Sequence, residues 1–412
     1  MDISIAWRNL WRNPRRTTII LTAIIIGIGS MVVLSALMRG MIDGMVDNAI
    51  NNLVGHIRIQ DPEYRIDPAI THRIKEPNEI IAVISPHLPP GAHIAERIKV
   101  DGMLSTSREH VGIVIVGIVP EDEVGVSFIG RPVHQGRMIA GNETNGLIIG
   151  EALLERIGAK VGRKVVLVSQ NQAFDNVSKA FRIRGTYRTE LAQTEKTYVF
   201  VALPVLQQML GVEEEVTEIA VKLEQGRSIT AERLDELISV LNLKLAGSRY
   251  TAEGWRRMLP AISAYLEMFN AYMLIWFVVV FIAMGFGLVN TMLMAVYERM
   301  REFGLQRALG MRSGRIVRMV MTETVMLLLL GAFWANVCSF FLVLVVFRSG
   351  IDLTLFAEGT EMFGISRVIL PALSAWDIYA ANGVVLVLGL LVGLYPALRA
   401  ARFTPVETMR HL

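Results

Sequence analysis

Residues 268–297 read MFNAYMLIWFVVVFIAMGFGLVNTMLMAVY and contain no Asp, Glu, Lys or Arg. A helix needs about 20 predominantly apolar residues to cross the hydrocarbon core of a bilayer. This stretch exceeds that length, and it lacks the polar face that a soluble amphipathic helix presents. It therefore predicts a membrane-spanning helix.

Three further stretches lack the same four residue types and are also long enough to span a bilayer. They are residues 17–38, 324–347 and 378–398. The first follows a basic segment, as a secretory signal peptide would. Its apolar run is longer than a signal h-region, however, and no small-x-small cleavage site ends it. All four stretches are therefore predicted to be retained spans. Their assigned bounds are 17–40, 266–297, 317–347 and 376–398.

Composition agrees with a membrane protein that also carries a water-soluble part. Hydrophobic residues make up 52% of the chain and charged residues 19%. The net charge of +3 is too small to indicate a nucleic-acid partner, and the chain has no lysine-rich tract. Cys338 is the single cysteine, so an intrachain disulfide and a CxxC metal site are excluded.

Arginines in the short loops predict the orientation in the membrane. They are frequent in residues 1–16, in the linker 298–316 and in the tail 399–412. The loop 348–375 instead carries two arginines against several acidic residues. The positive-inside rule then assigns both termini and the linker to the cytoplasm. A few arginines flank the spans on the opposite side and are outnumbered.

Residues 41–265 separate the first two spans, and this orientation makes them an extracytoplasmic domain. Short alternating or apolar runs mixed with helical patterns predict a mixed α/β domain. Strands are predicted at 55–60, 111–119, 163–169, 179–187, 196–201 and 216–223. Helices are predicted within 143–157, ending at Gly158, and at 203–210 and 229–241. Residues 41–53 and 251–267 are predicted to extend the first two spans as helical stalks.

The extracytoplasmic domain contains no catalytic signature. The sequence lacks the HExxH, GxSxG and SxxK motifs. No two of its histidines have the spacing of metal ligands on one helix or tight turn; they are His56, His72, His87, His93, His110 and His134. We therefore expect neither catalytic nor metal-binding residues, and we expect the domain to bind a partner or to move.

Residues 1–16 are predicted to contain a short helix that lies in the membrane interface. Asn13-Pro14 separates it from the first span, because proline disfavours helix at the residue before it. Its Trp7 and Trp11 are expected at headgroup depth. The predicted apolar face consists of Ile3, Trp7, Leu10 and Trp11.

Polar and small residues inside the spans predict contacts between helices. The charge-free cores offer no ionisable group for a proton-coupled carrier. We expect Glu323, at the edge of the third span, to pair with an arginine of the linker. Hydrogen bonds between helices are predicted for Asn290, Asn336 and Asn382. Close packing, including packing against a second copy of the chain, is predicted at Gly285, Gly287, Gly389 and Gly393.

The linker between the second and third spans reads YERMREFGLQRALGMRSGRIVRMVMTE, residues 297–323. Residues 299–309 predict a short helix that is rich in arginine and carries several hydrophobic side chains. Gly310 is predicted to end it in the left-handed conformation, and Ser313 to cap the next helix. Such a helix fits either a docking surface for a cytoplasmic partner or a segment that lies in the lipid interface.

The linker resembles the coupling segment of the FtsX/MacB-type permeases of ABC transporters, including their lipoprotein-releasing (LolC/LolE-like) branch. The start AWRNLWRNPRRTTIILTAIIIGIG, residues 6–29, and the tail YPALRAARFTPVETMRHL, residues 395–412, look like the start and the C-terminal signature of that family. In the extracytoplasmic domain, GHIRIQDPEYRIDP and GEALLERIGAKVGRKVVL are similar to the lipoprotein-releasing branch. The family has one span before the domain and three after it, as predicted here.

The resemblance implies a multi-pass permease of the bacterial cytoplasmic membrane that works with a cytoplasmic ABC ATPase and with a second permease copy or paralogue. The implied ATPase-coupling residues are Glu298, Arg301, Glu302, Phe303, Leu305, Arg307, Ala308, Leu309 and Gly310. The sequence has no Walker A loop, GxxxxGK[ST]; GAKVGRK at 158–164 comes nearest and has the wrong spacing. We therefore expect no enzyme activity and no cofactor in this chain, with ATP and Mg bound by a partner ATPase.

The resemblance also implies a cargo that is handled at the periplasmic side. The first expectation is a lipoprotein-like or amphipathic cargo, with membrane lipids and a periplasmic carrier or adaptor protein as further partners. One alternative is export of periplasmic peptides or drugs through an adaptor and an outer-membrane duct. Another is a membrane-bound sensor of antibiotic peptides. A membrane-tethered enzyme is the third alternative, and no motif favours it.

Overall fold

The computed structural model of the protein describes residues 2–189, 191–224, 229–352 and 368–402. The described residues form two compact units. The helical unit consists of residues 2–43, 265–352 and 368–402, and the α/β unit consists of residues 44–264. Most of the predicted loop 348–375 and of the tail 399–412 lies outside the described residues.

The helices are numbered in chain order. They are α1 (Asp2–Arg12), α2 (Pro14–Ala49), α3 (Pro77–Ile84), α4 (Glu151–Arg156), α5 (Ala192–Thr197), α6 (Leu203–Leu210), α7 (Ala231–Lys244), α8 (Trp255–Met258), α9 (Pro260–Glu298), α10 (Met300–Ala308), α11 (Ser313–Phe341) and α12 (Ala375–Ala401). A π-helical turn continues α2 over Ile50–Val54, and another continues α11 over Leu342–Val346.

Four of the described helices are long and apolar enough to cross a membrane, namely α2, α9, α11 and α12. One precedes the α/β unit in sequence and three follow it, so the predicted arrangement of spans is confirmed. Residues 41–49 belong to α2 and residues 50–54 continue it, in agreement with the first predicted stalk. Asn13 interrupts the helix between α1 and α2, as its position before a proline predicts.

Arg39 joins three of the spans within the helical unit. Its guanidinium donates to both carboxylate oxygens of Asp377 on α12, at 2.7 and 2.8 Å. The same guanidinium lies 5.2 Å from the ring centre of Phe269 on α9. Asp377 is buried, and a two-bond arginine–carboxylate pair is strong as well as directional. This pair therefore fixes α2 against α12.

The twelve strands are also numbered in chain order. They are β1 (Ile57–Gln60), β2 (His93–Ser105), β3 (His110–Ile118), β4 (Gln135–Gly136), β5 (Gly146–Gly150), β6 (Lys164–Gln170), β7 (Asn176–Tyr187), β8 (Tyr198–Ala202), β9 (Glu218–Lys222), β10 (Thr251–Gly254), β11 (Ile351–Asp352) and β12 (Val368–Ile369). The last two form a small sheet of their own in the helical unit.

The other ten strands form one mixed sheet in the α/β unit, in the order β10-β1-β9-β2-β3-β8-β5-β7-β4, with β6 paired to both β2 and β7. Two pairs, β3–β8 and β5–β7, are parallel, and the remaining pairs are antiparallel. The domain core lies at one end of a sheet face, where Tyr187, Phe200 and Phe128 pack with ring centres 5.1–5.7 Å apart. Leu53 of the π-helical turn is fully buried in the same core.

The predicted strands and helices of this unit recur within a few residues of their predicted bounds. The strands β4 and β5 were not predicted, and Gly146–Gly150 of β5 lies in the stretch 143–157 for which only a helix was predicted. The strand β2 was not predicted either. Its inward-facing side chains include Arg97, which is fully buried. A charged residue at such a position hides the alternating pattern by which a strand is recognised. The longest strand of the sheet was therefore missed.

The second predicted stalk, 251–267, is wrong over its first residues. Thr251–Gly254 form β10, which pairs antiparallel with β1. Asn242 of α7 exchanges hydrogen bonds of 2.8 and 3.0 Å with the backbone of Ala252. This side chain satisfies backbone groups on the edge strand, and an edge strand without such protection would be prone to pair with other chains. The helix of the second span begins only at Pro260.

Candidate functional site

The candidate site is α10, the short helix in the linker between the second and third spans. Gly310 follows it with φ +92°, in the left-handed region that glycine adopts readily. The next helix, α11, begins at Ser313, and the residue at its cap position is Arg312, which makes no side-chain capping bond. The prediction that Ser313 caps α11 is therefore wrong, because Ser313 is already the first helical residue.

The helix α10 presents two sides of different character. Leu305 and Leu309 are 63% and 80% exposed, whereas Phe303 is 1% exposed. The Phe303 ring lies 5.2 Å below the guanidinium of Arg299. Phe303 was predicted to contact an ATPase. Its ring instead faces the interior of this chain, so Phe303 has a packing role.

The other predicted coupling residues differ in exposure. Glu302 and Arg307 are half-buried. The exposed members are Glu298, Arg301, Leu305, Ala308, Leu309 and Gly310. We call Arg301, Leu305, Ala308 and Leu309 the exposed face. It combines aliphatic side chains with an arginine, which is the composition of a docking surface.

A buried ion pair connects the start of α10 to α11. Arg299 Nη1 donates to both carboxylate oxygens of Glu323 on α11, at 2.8 and 3.0 Å. Asn9 of α1 donates to the same carboxylate at 2.6 Å. Glu323 therefore connects the N-terminal helix, the linker and the third span. The prediction that Glu323 pairs with a linker arginine is confirmed, whereas the contribution of Asn9 was not foreseen.

Two further ion pairs connect the N-terminal segment to the linker. Arg12 lies 2.7 Å from Glu302, and Arg16 lies 3.1 Å from Glu298. Partial burial alone would raise the pKa of Glu302, but hydrogen bonds from Arg12 and Arg299 lower it. Both acids are more than one third exposed, so each pair contributes little on its own. At the other end of the helix, Arg307 donates to the carbonyl oxygen of Ala401 on α12, at 2.8 Å.

The described side chains of α1, from Ala6 onward, do not form the predicted face, and the side chain of Ile3 lies outside the described part. Trp7 and Trp11 are half-exposed and pack edge to face, with ring centres 5.9 Å apart. Leu10 is buried together with Ala6. Leu10 therefore belongs to the inward side of α1, and the two tryptophans form an outward side that suits an interface with lipid headgroups.

The four predicted packing glycines fall into two groups. A Cβ atom at Gly389 would lie 2.9 Å from Leu328, and one at Gly393 would lie 2.7 Å from Thr324, both on α11. At Gly285 the three nearest atoms belong to Phe281 of the same helix, and at Gly287 nothing described lies within 4 Å. The structure thus brings the α12 glycines into a contact between helices, and it leaves the two on α9 without one among the described residues.

The predicted asparagine contacts divide in the same way. Asn336 and Asn382 exchange hydrogen bonds of 3.0 and 3.2 Å between α11 and α12. Asn290 is exposed on α9. The prediction is confirmed for the first two residues, and for Asn290 the described part of the chain offers no partner helix.

Gly393→Ala is expected to lower the free energy of unfolding by about 1–3 kcal/mol, because the new methyl group would overlap a well-packed contact. Thr324 cannot easily turn away, since its Oγ1 donates to the carbonyl oxygen of Val320 at 3.0 Å. Thermal unfolding of the detergent-purified chain measures the effect. Gly383→Ala on the same helix is the control, because a Cβ atom there meets nothing within 4 Å. Equal melting temperatures for both variants would contradict the packing role.

One side-chain cluster in the α/β unit has the composition of a metal site. Asp61, Glu63 and His72 bring ligand atoms within 4.8 Å of one another. Arg249 already lies in it, at 2.7 Å from Asp61 and 2.5 Å from Glu63. A guanidinium that compensates both carboxylates leaves little reason for a cation, so we assign no metal there. The spacing of the histidines in sequence gave no sign of this cluster.

Family models match two parts of the chain. The MacB-like periplasmic core domain matches residues 17–235, and the C-terminal domain of FtsX-like permeases matches residues 274–405. The exposed face, its buried ion pair, α11, α12 and most of α9 lie in the second match. The periplasmic region of MacB from Actinobacillus actinomycetemcomitans aligns with 52% of this chain and 94% of that structure, at 13% identity and a TM-score of 0.35.

Two curated relatives illustrate the range of the family. A lipoprotein-releasing system transmembrane protein LolC from Xylella fastidiosa is 25% identical over 338 residues, which is 78% of each chain. A pyoverdine export ATP-binding/permease protein, PvdT, from Pseudomonas aeruginosa is 36% identical over 125 residues, or 30% of this chain and 16% of that protein. The chain thus belongs to the family of FtsX-like permeases with a MacB-like periplasmic core domain, and it is a transmembrane permease component of an ABC transporter.

Proposed function

We propose that this permease is driven by a separate ABC ATPase chain that docks on the exposed face of α10. One observation carries the proposal: Leu305 and Leu309 are exposed on a helix whose opposite side is fixed by the buried Arg299–Glu323 pair. A surface helix that is held rigidly and presents aliphatic side chains can transmit a push without deforming. ATP and Mg then belong to the partner, and this chain contributes no catalytic group.

The proposed location is the bacterial cytoplasmic membrane, with both termini and α10 on the cytoplasmic side. The arginine-rich short segments support this orientation through the positive-inside rule. The α/β unit then faces the periplasm, in keeping with the periplasmic core domain that it resembles. A second permease copy or paralogue completes the proposed complex, and the open surface of α9 around Gly287 and Asn290 is available to it.

For the cargo we propose a lipoprotein-like or amphipathic molecule that is handled at the periplasmic side. Support comes from the relative named for lipoprotein release, which aligns along 78% of both chains. The second candidate is export from the periplasm, because relatives named for macrolide and pyoverdine export also match, at 34–36% identity over 125 residues. Purification of the complex with mass spectrometry of bound proteins and lipids discriminates between the two. Bound lipoprotein favours the first candidate, and a periplasmic adaptor favours the second.

Leu305→Asp and Leu309→Asp are each expected to weaken association with the ATPase by about tenfold or more, since a buried charge at the centre of an interface costs at least 1–2 kcal/mol. The measurement is co-purification of the ATPase with the tagged permease, followed by its ATP turnover. Transport should fall together with co-purification.

Leu243→Asp is the matched control. Leu243 is 73% exposed on α7 of the α/β unit, so the substitution is made at a similarly exposed leucine outside the proposed docking surface. It should leave ATPase association unchanged. If both linker variants retain the ATPase and its turnover as the control does, the docking assignment is wrong. If no ATPase accompanies the unmodified permease, the whole proposal fails.

A further inference from the structure

A cavity of about 270 Å³ lies in the α/β unit, on the sheet face whose other end carries the aromatic core. Val114 and Tyr198 line the cavity, and the core residues Val116 and Phe200 follow two positions later on the same strands. Residues two apart on a strand share a face. The polar groups at the cavity are Arg58, Gln60, Tyr64, Arg65, Lys99 and Asp101.

One buried polar atom at this cavity lacks a hydrogen bond within the described residues. Gln60 is 2% exposed, yet its Oε1 accepts no hydrogen bond. The Nε of Arg58 lies 3.2 Å from Glu218 in an ion pair. Lys99 Nζ lies 3.9 Å from Glu218, beyond hydrogen-bond distance. Buried polar atoms nearly always have a partner. The cavity thus offers the unused acceptor Gln60 Oε1 and the ammonium group of Lys99 to a molecule that enters it.

The buried charges behind the cavity carry one surplus positive charge. Among the described residues, Arg58, Arg97 and Lys99 are compensated by Glu123 and Glu218, three cations against two anions. Burial lowers the pKa of Lys99 to about 8, even though Glu218 acts in the opposite direction. An anion bound beside Lys99 would complete the compensation.

The charges at the rim do not remove this surplus. Arg65 is paired with Glu253 at 3.3 Å, so these two cancel. Asp101 is exposed, and water and salt screen its charge.

We propose that the cavity binds a phosphate ester that carries a hydrogen-bond donor, the chemistry of a phosphoethanolamine or glycerophosphate group. Lys99 and Arg58 donate to the phosphate oxygens, and Gln60 Oε1 accepts from the ammonium or hydroxyl of the ligand. Pockets for drug-sized ligands measure about 300–1,000 Å³. The smaller volume here suits a headgroup without its acyl chains.

Such a group can come from a phospholipid or from a soluble phosphate ester. Met258 also lines the cavity, and it precedes Pro260, the first residue of the helix of the second span, by two positions. The chain thus continues from the cavity wall into the helix of a membrane span, and this continuity is compatible with a lipid as the source of the phosphate ester.

The test is calorimetric titration of the detergent-purified full chain with O-phosphoethanolamine, with dihexanoyl phosphatidylethanolamine and with inorganic phosphate. Lys99→Met should weaken binding of both esters by about tenfold or more, because the cationic donor is lost. Gln60→Leu should weaken the esters more than inorganic phosphate. Tighter binding of the short-chain lipid identifies a lipid headgroup, and tighter binding of O-phosphoethanolamine identifies a soluble ester; both support the site.

Lys164→Met is the matched control, because Lys164 is exposed on β6 away from the cavity. Should Lys99→Met fail to fold, Gln60→Leu provides the second variant, and it should still weaken binding of both esters. The proposal is overturned if no ester binds, if Lys164→Met is as harmful as the cavity variants, or if inorganic phosphate binds as tightly as the esters in the unmodified chain.

Discussion

Arg97→Met is expected to lower the free energy of unfolding by about 3–5 kcal/mol, the cost of removing one partner from a buried ion pair. Arg97 is fully buried and donates to both oxygens of Glu123, at 2.6 and 2.8 Å. It also lies 3.4 Å from Glu218. Methionine would fill the volume but would leave Glu123 without a cation in the interior. The burial of both side chains makes this the most damaging single substitution that we foresee.

A second contact of Arg97 adds to the effect. Its Nη1 donates at 2.6 Å to the carbonyl oxygen of Leu53, in the π-helical turn that ends the first span. Leu53 has φ +72°, a left-handed conformation that costs a branched residue about 1–3 kcal/mol and must be held by its surroundings. Loss of Arg97 should therefore also loosen the π-helical turn Ile50–Val54.

Thermal unfolding and limited proteolysis of the detergent-purified chain measure the loss. Arg65→Met is the control, since Arg65 is half-exposed and paired with Glu253, and exposed pairs contribute about 0–1 kcal/mol. New cleavage sites in the π-helical turn Ile50–Val54 are expected for Arg97→Met and not for Arg65→Met. If the two variants melt at the same temperature, the buried network does not stabilise the domain.

Glu323→Leu is expected to detach α10 from the spans and to cost about 3–5 kcal/mol locally, because Arg299 would stay buried without its partner. Arg299 and Glu323 are each 7% exposed. Asn9 would lose its acceptor at the same time, so α1 should loosen as well. The exposed face would then no longer be held in place, and ATPase-driven work should fall even though Leu305 and Leu309 are intact.

Two readouts separate this effect from simple loss of the docking surface. Glu323→Leu should lower the melting temperature, whereas Leu305→Asp should not. Glu298→Leu is the control for stability, since Glu298 is 41% exposed and its carboxylate pairs with Arg16 at the surface. A variant at Glu323 that melts normally and still couples ATP turnover to transport would refute the role assigned to this pair.

Local sequence was sufficient to predict the four spans and the short helix in the linker. A helix in a bilayer must be apolar over its whole length, so its signal lies in consecutive residues and needs no partner. The same holds for the break at Asn13 and for the left-handed Gly310, which depend on the backbone preferences of single residues. The likeness of the linker to the coupling segment also comes from consecutive residues.

The buried charges could not be foreseen in this way. Arg97 reads as a surface residue until the fold brings Glu123 and Glu218 to it, from 26 and 121 positions away. The missed strand β2 and the misplaced stalk at Thr251–Gly254 have the same origin, because strand pairing joins distant segments. Leu10 and Phe303 likewise needed the packed structure to show that they face inward.

Local patterns along the chain are therefore enough to predict the membrane class, the one-plus-three arrangement of spans and the position of α10, because lipid or backbone geometry imposes each of them. Which side of α10 is exposed depends instead on packing between distant segments. Asn9 lies 314 positions before Glu323, and no sequence pattern predicts the hydrogen bond between them. A buried charge is compensated by residues that are distant in sequence, so its partners can be identified only in the folded chain.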